Sequence, residues 1–152
     1  MYDIETRTLD EQHTAVVRSR MDASELTSWL SGVHGTVLLH LQRIGVATTG
    51  EPFVRYHERG DHVDVEAGVP IEQPITPTDE VAPSTLPAGP VAATWHRGSP
   101  DDLAPAFEAL EVWTARTGDE PAGAAWTVHH VDPTVPPEAG TWTIEVIQPL
   151  RA

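Results

Sequence analysis

Two glutamates stand among apolar neighbours in strand-like stretches. Glu145 lies in Trp-Thr-Ile-Glu-Val-Ile (142–147) and Glu66 in His-Val-Asp-Val-Glu-Ala-Gly-Val (62–69). Successive strand side chains point to opposite faces, so Trp142, Ile144 and Val146 share one side while Thr143, Glu145 and Ile147 share the other. A carboxylate fixed in this way is either solvated on an open face or held in a cavity awaiting a cationic or polarised partner. Apolar walls would raise its pKa, and a bound cation would lower it again. Aromatic faces would add cation–π attraction of roughly 0.5 to 2 kcal/mol each. Trp95, Trp126 and Trp142 lie on strands and either pack under a helix or line such a cavity, while the phenol of Tyr56 suits a wet one. His129, beside a glutamate on the next strand, can form a polar wall or act as a general base. The candidate ligand-binding set is therefore Tyr56, Glu66, Trp95, Trp126, His129, Trp142 and Glu145. Glu66, Glu145 and His129 are the candidates for catalysis.

Other chemistries find less support. The eight histidines include one adjacent pair, His129-His130, whose rings face opposite sides of a strand, and no HExxH spacing occurs, so no metal site is expected. No GxSxG elbow and no glycine-rich nucleotide loop are present, and no cofactor is expected. The absence of cysteine excludes disulfides, thiolate metal sites and cysteine nucleophiles, and fits a cytoplasmic protein. The 152 residues carry a formal net charge of -14, and all nine basic residues are arginine. That field repels phosphate, so direct nucleic-acid binding is not expected; it favours cationic ligands, though solubility accounts for the charge equally well. No apolar run approaches the roughly 20 residues that cross a bilayer, and no secretory signal is visible.

The elements that must hold these residues follow from periodicity. Tyr2 to Leu9 and Thr14 to Arg20 read as strands. Asp22, with Glu25 three residues on, reads as a capping box for a helix whose apolar stripe is Leu26, Trp29, Leu30, Val33, Val37, Leu41 and Ile44. Gly32 and Gly35 weaken that helix and either permit close packing or mark a bend; Gly45 ends it. Pro52 to His57 and His62 to Val69 read as strands. Glu72 to Pro90 is proline-rich and reads as a connection, with Ser84 to Leu86 a short strand. The pattern then restarts. Val91 to Arg97 is a strand and Pro100 suits the first position of a helix with the stripe Leu103, Ala106, Phe107, Leu110 and Trp113. Trp126 to Val131 and Trp142 to Gln148 are the closing strands.

Two copies of strand, helix, strand, strand are visible in that order. Setting Pro70 against Pro149 aligns Glu66 with Glu145, and setting Phe53 against Trp126 aligns Tyr56 with His129. The sequence therefore predicts a single α+β domain. Module one covers 1–73, the connection 74–90 and module two 91–152, related by a pseudo-twofold axis. Both helices are expected on one face of an antiparallel sheet, with a ligand cleft on the other face and between the modules.

The run His96-Arg97-Gly98-Ser99-Pro100, the stripe through Trp113, Trp126 to Pro133 and Trp142 to Leu150 together resemble the GyrI-like small-molecule-binding domains. These are also the effector-binding domains of AraC-type and MerR-type multidrug regulators. The resemblance covers nearly all of the chain, more strongly after Val91. It implies a two-module fold whose cleft takes lipophilic, aromatic, cationic compounds against a carboxylate, with Glu145 matching the glutamate of the family's last strand. The family commonly places a glutamate and a tyrosine where this chain has Thr127 and His129, which removes one acid and one aromatic from the expected pocket. Some members hydrolyse cyclopropane-bearing compounds with paired acids and aromatics; the missing glutamate counts against that role here unless Glu66 substitutes, with Glu66 or Glu145 as the base and His129 or Tyr56 assisting. Others are thought to inhibit a topoisomerase, so a protein partner or a homodimer is a further expectation. Met1 directly precedes the first strand, so a stand-alone module, acting on DNA only through a partner, is expected.

Overall fold

A computed structural model describes residues 2–97, 103–130 and 143–151. Among them the strands are β1 (Ile4–Leu9), β2 (Gln12–Asp22), β3 (Phe53–Glu58), β4 (His62–Pro70), β5 (Ala82–Leu86), β6 (Gly89–Arg97), β7 (Ala125–His130) and β8 (Thr143–Pro149). The helices are α1 (Leu26–Ile44) and α2 (Ala104–Thr117). Both helices stop where the sequence supplies a glycine able to turn left-handed: Gly45 at φ 74° and Gly118 at φ 77°. Pro105 is harmless because it stands in the first turn of α2, where backbone N–H groups have no helical acceptor.

One expectation fails at the start of α1. Asp22 and Glu25 form no capping box: neither makes a side-chain cap hydrogen bond. The chain enters the helix through a 3-10 turn at Ala23–Glu25, and the Asp22 carboxylate instead faces His62 Nδ1 at 2.7 Å. The turn at Gly98 to Asp102 and the loop opened by Asp132 lie outside the described residues.

All eight strands form one antiparallel sheet in the order β1-β6-β8-β7-β3-β4-β2-β5. In this order β1 and β2 are six strand spacings apart, roughly 29 Å on a flat sheet. Yet only Asp10 and Glu11 separate them, a link that spans roughly 11 Å. Pro87 and Ala88 join β5 to β6 under the same constraint. The sheet must therefore curl into a half-barrel that brings its two edges together at one end.

The curl gives the faces different fillings. On the outer face, Val54 and Tyr56 of β3, Val63, Val65 and Ala67 of β4, and Ile144 and Val146 of β8 pack against Val33 of α1 and Phe107 and Leu110 of α2. Ile75 and Val81, from the proline-rich connection, join Val37 and Leu41 beneath the far end of α1. On the inner face, no helix takes part. Leu9, Val16, Phe53, Leu86, Val91, Trp126 and Ile147, drawn from both edges and the centre, close on one another.

The registers of the residues that the sequence alignment sets side by side are as follows. Arg18 of β2 faces Glu66, and Trp95 of β6 faces Glu145. Phe53 and Tyr56 meet β4 at Gly68 and Val65, while Trp126 and His129 meet β8 at Ile147 and Ile144. Beyond the strands, Ile71 bridges Thr48 and Leu150 bridges Pro121.

Candidate functional site

A cavity of about 510 Å³ opens on the outer face, between α1 and α2 and above the middle strands β3 and β7. Each helix covers its own half of the sheet, and the small residues Ala23, Gly60 and Ala104 leave the space between them unfilled. Leu26, Leu30, Val63 and Phe107 form apolar walls, Tyr56 and His129 lie deeper, and Arg59 and Glu111 stand with them along the lining. Tyr56 is buried and meets the Phe107 ring edge-on, with centroids 5.3 Å apart and planes at 74°. Burial pushes its phenol up to about 12, against a smaller opposing pull from a hydrogen bond with Thr127. His129 contacts the Thr127 hydroxyl at 3.1 Å. Burial, with lesser repulsion from His34 and His130, lowers its imidazole to about 4, so the ring is neutral at pH 7. His34, lowered by burial in the same way, donates from Nε2 to the Phe53 carbonyl at 3.0 Å. The floor of the cavity is therefore aromatic and uncharged, and its charges are Arg59 and Glu111.

The expected residues are divided between the two faces of the sheet. The cavity shares its face with the helices, and of the sequence-derived set it gathers Tyr56 and His129. Glu66 and Glu145 belong to the inner face, because strand alternation sets them opposite Val65 and Ile144. Both are nearly buried and both are already partnered. Glu66 accepts from His57 Nε2 at 2.8 Å and from Arg55 at 3.5 Å, and Arg55 also donates to the Thr85 carbonyl on β5 at 3.1 Å. Glu145 accepts from Arg7, which reaches it across β6, and lies 3.6 Å from His130 Nε2. Trp126 is 1% exposed inside the inner apolar cluster, whereas Trp95 is 42% exposed and leans on the His130 ring at 5.1 Å. Trp142 lies outside the described residues. Among the described residues, no three His, Asp or Glu side chains are grouped to hold a metal ion.

Two features escaped the sequence reading. Phe107 was legible only as part of a helix stripe, and no spacing signals that it converges with Arg59 and Glu111. Asp64 did leave a signal: Arg-Ser-Arg on β2 faces Asp-Val-Glu on β4 at matching period two. Arg18 grips Asp64 with two bonds of 3.0 Å, and Arg20 adds one of 3.1 Å. These bonds, Arg18 foremost, overcome the effect of burial and hold the carboxyl at about 2, below its ordinary 3.8. The lowered value is worth at most about 2.5 kcal/mol, and solvent around the exposed arginines screens part of it. Its contribution is complete above about pH 4 and disappears as pH falls through about 2. Asp64→Asn is thus expected to be about 1–2 kcal/mol less stable than the parent near pH 6, with the gap closing at pH 2. Urea unfolding across that range reads the difference; a gap independent of pH would remove the carboxylate as its source.

No protein-family model matches the chain, and no curated protein matches it significantly by sequence. Solved structures do. The crystal structure of the EcmrR C-terminal domain superimposes with a TM-score of 0.86 at 16% identity, over 99% of this chain and 98% of that one. In the cryo-EM EcmrR-DNA complex the same likeness spans 57% of the EcmrR chain. SAV2435, solved bound to tetraphenylphosphonium, matches with a TM-score of 0.68 at 10% identity over 99% of this chain and 94% of that one. A hydrolase from Listeria innocua matches at 0.62, with 12% identity over 97% of this chain and 91% of that one. The half-barrel with its two outer helices is the fold of the EcmrR C-terminal domain.

Proposed function

We propose that this chain is a small-molecule-binding module of the GyrI-like kind, acting in the cytoplasm, which takes lipophilic, aromatic, cationic compounds in the cavity between α1 and α2. The observation that carries the reading is the cavity itself. About 510 Å³ of space is walled by Phe107 and leucines, floored by the neutral Tyr56 and His129, and supplied with a carboxylate, Glu111. A shape of that size suits a drug-sized ligand. The shared fold with the EcmrR C-terminal domain, and the tetraphenylphosphonium found in SAV2435, support the ligand class. The proposed site keeps Tyr56 and His129 and takes Glu111 in the role expected of Glu66 and Glu145, whose charges are matched on the inner face. The matching registers support a further reading, that the halves descend from one duplicated strand-helix-strand-strand module related by a pseudo-twofold axis.

Titration with tetraphenylphosphonium tests the site. Phe107→Ala is expected to weaken binding at least tenfold, through loss of ring contact and wall. Glu111→Gln is expected to weaken the cation about threefold and not to weaken an uncharged dye. Unchanged affinity in Phe107→Ala would remove the cavity as the binding place.

A second reading, hydrolysis of a reactive electrophile, draws on one observation: the buried Glu66 and His57 lie 2.8 Å apart. It requires a water adduct, detected by mass, that Glu66→Gln no longer forms.

A further inference from the structure

A cation of the chain's own stands at the cavity. Arg59, in the turn between β3 and β4, lays its guanidinium over the Phe107 ring, 4.0 Å from the centroid. Its Nη2 donates to Glu111 Oε1 at 2.8 Å. A ring face and a carboxylate, held together, are what a lipophilic cation requires. We propose that Arg59 is a resident surrogate for the cationic centre of the ligand, and that binding is an exchange: the ligand's cation displaces the guanidinium from Phe107 and takes its place beside Glu111. The inference rests on the site proposed above and adds how it selects.

Several features fit an exchange. The Arg59 side chain is 36% exposed and that of Glu111 65%, so the guanidinium can leave for water without stranding a buried ion. Ion pairs so open to solvent are weak and readily remade with a new partner. Arg59 is carried by a turn, on a long stem, so its head can swing clear without disturbing β3 or β4. Selectivity follows from charge. A cation that displaces Arg59 restores a partner to Glu111, whereas an uncharged aromatic leaves that carboxylate without one. The turn itself stays put during the exchange: the Ala23 N–H donates to the Asp61 carbonyl at 2.8 Å, which fastens the turn bearing Arg59 to the residues that lead into α1.

The test compares the parent with Arg59→Ala, titrated with tetraphenylphosphonium and with the uncharged dye Nile red, each variant first checked for native circular dichroism. Both probes must evict Arg59, so both are expected to bind Arg59→Ala about fivefold more tightly. A gain for the cation alone would mean that removing a positive charge, not an occupant, caused it, and would overturn the exchange. Unchanged or weaker binding of both probes would overturn it as well, while the site itself would stand if Phe107→Ala still abolished binding. If the folded parent and Arg59→Ala bind neither probe, the site reading fails and the exchange fails with it.

Discussion

Gly68→Ala is expected to cost about 3 kcal/mol or more and to lower the thermal midpoint by roughly 10 °C. Gly68 lies in β4 with β2 on one side and β3 on the other, opposite Val16 and Phe53. A Cβ there would stand 1.8 Å from the Ala15 carbonyl oxygen and 2.9 Å from the Val16 Cα. Both obstacles are backbone, so no rotamer change relieves the contact; β2 and β4 must separate. Gly32→Ala and Gly35→Ala are the controls. A Cβ at either meets nothing within 4 Å, so these glycines serve no close packing, and alanine is expected to stabilise α1 by up to about 1 kcal/mol each. Calorimetry on the three variants should give one large fall and two modest rises. A Gly68→Ala midpoint within 2–3 °C of the parent would show that the strands part more easily than their pairing implies.

Trp126→Ala is expected to cost roughly 3–5 kcal/mol, a large share of the 5–15 kcal/mol that holds an ordinary domain folded. The indole is 1% exposed and fills the inner face with Phe53, Val91, Ala93 and Ile147. Its removal leaves a void where both edges of the curled sheet meet. Trp126→Phe should recover most of the loss and bind tetraphenylphosphonium within about twofold of the parent, because the ring lies across the sheet from the cavity. Denaturant unfolding and titration on the same samples separate the roles. A variant that keeps its stability and loses its ligand would return Trp126 to the binding set.

Local pattern made most of the elements legible. The stripe from Leu26 to Ile44 and the glycine after it delimit α1, and the alternation of His62 to Val69 delimits β4 to within one residue. What local pattern lacks is the identity of the covered face. Glu66 and Glu145 were correctly placed opposite their apolar neighbours, but alternation alone does not say which side the helices take. The links at Asp10-Glu11 and Pro87-Ala88 require the sheet to curl, a meaning that appears only once the strand order is known, and the packing of the helices then shows which face is covered. Arg7, the partner of Glu145, was hidden for a related reason: it acts from another strand, two places across the curl from β8. The cavity was least legible, since Arg59, Phe107 and Glu111 come from a turn and a helix that no sequence interval relates.

Each edge strand pairs with a strand far from it in sequence. β1, made first, pairs with β6, while β5, made just before β6, pairs back with β2. During synthesis the opening strand has no native neighbour until Gly89–Arg97 has left the ribosome. Until then it presents an unsatisfied ladder to any other nascent chain. Its charged Glu5 and Arg7 and the overall acidity of the chain read, in that light, as protection for a strand that must wait.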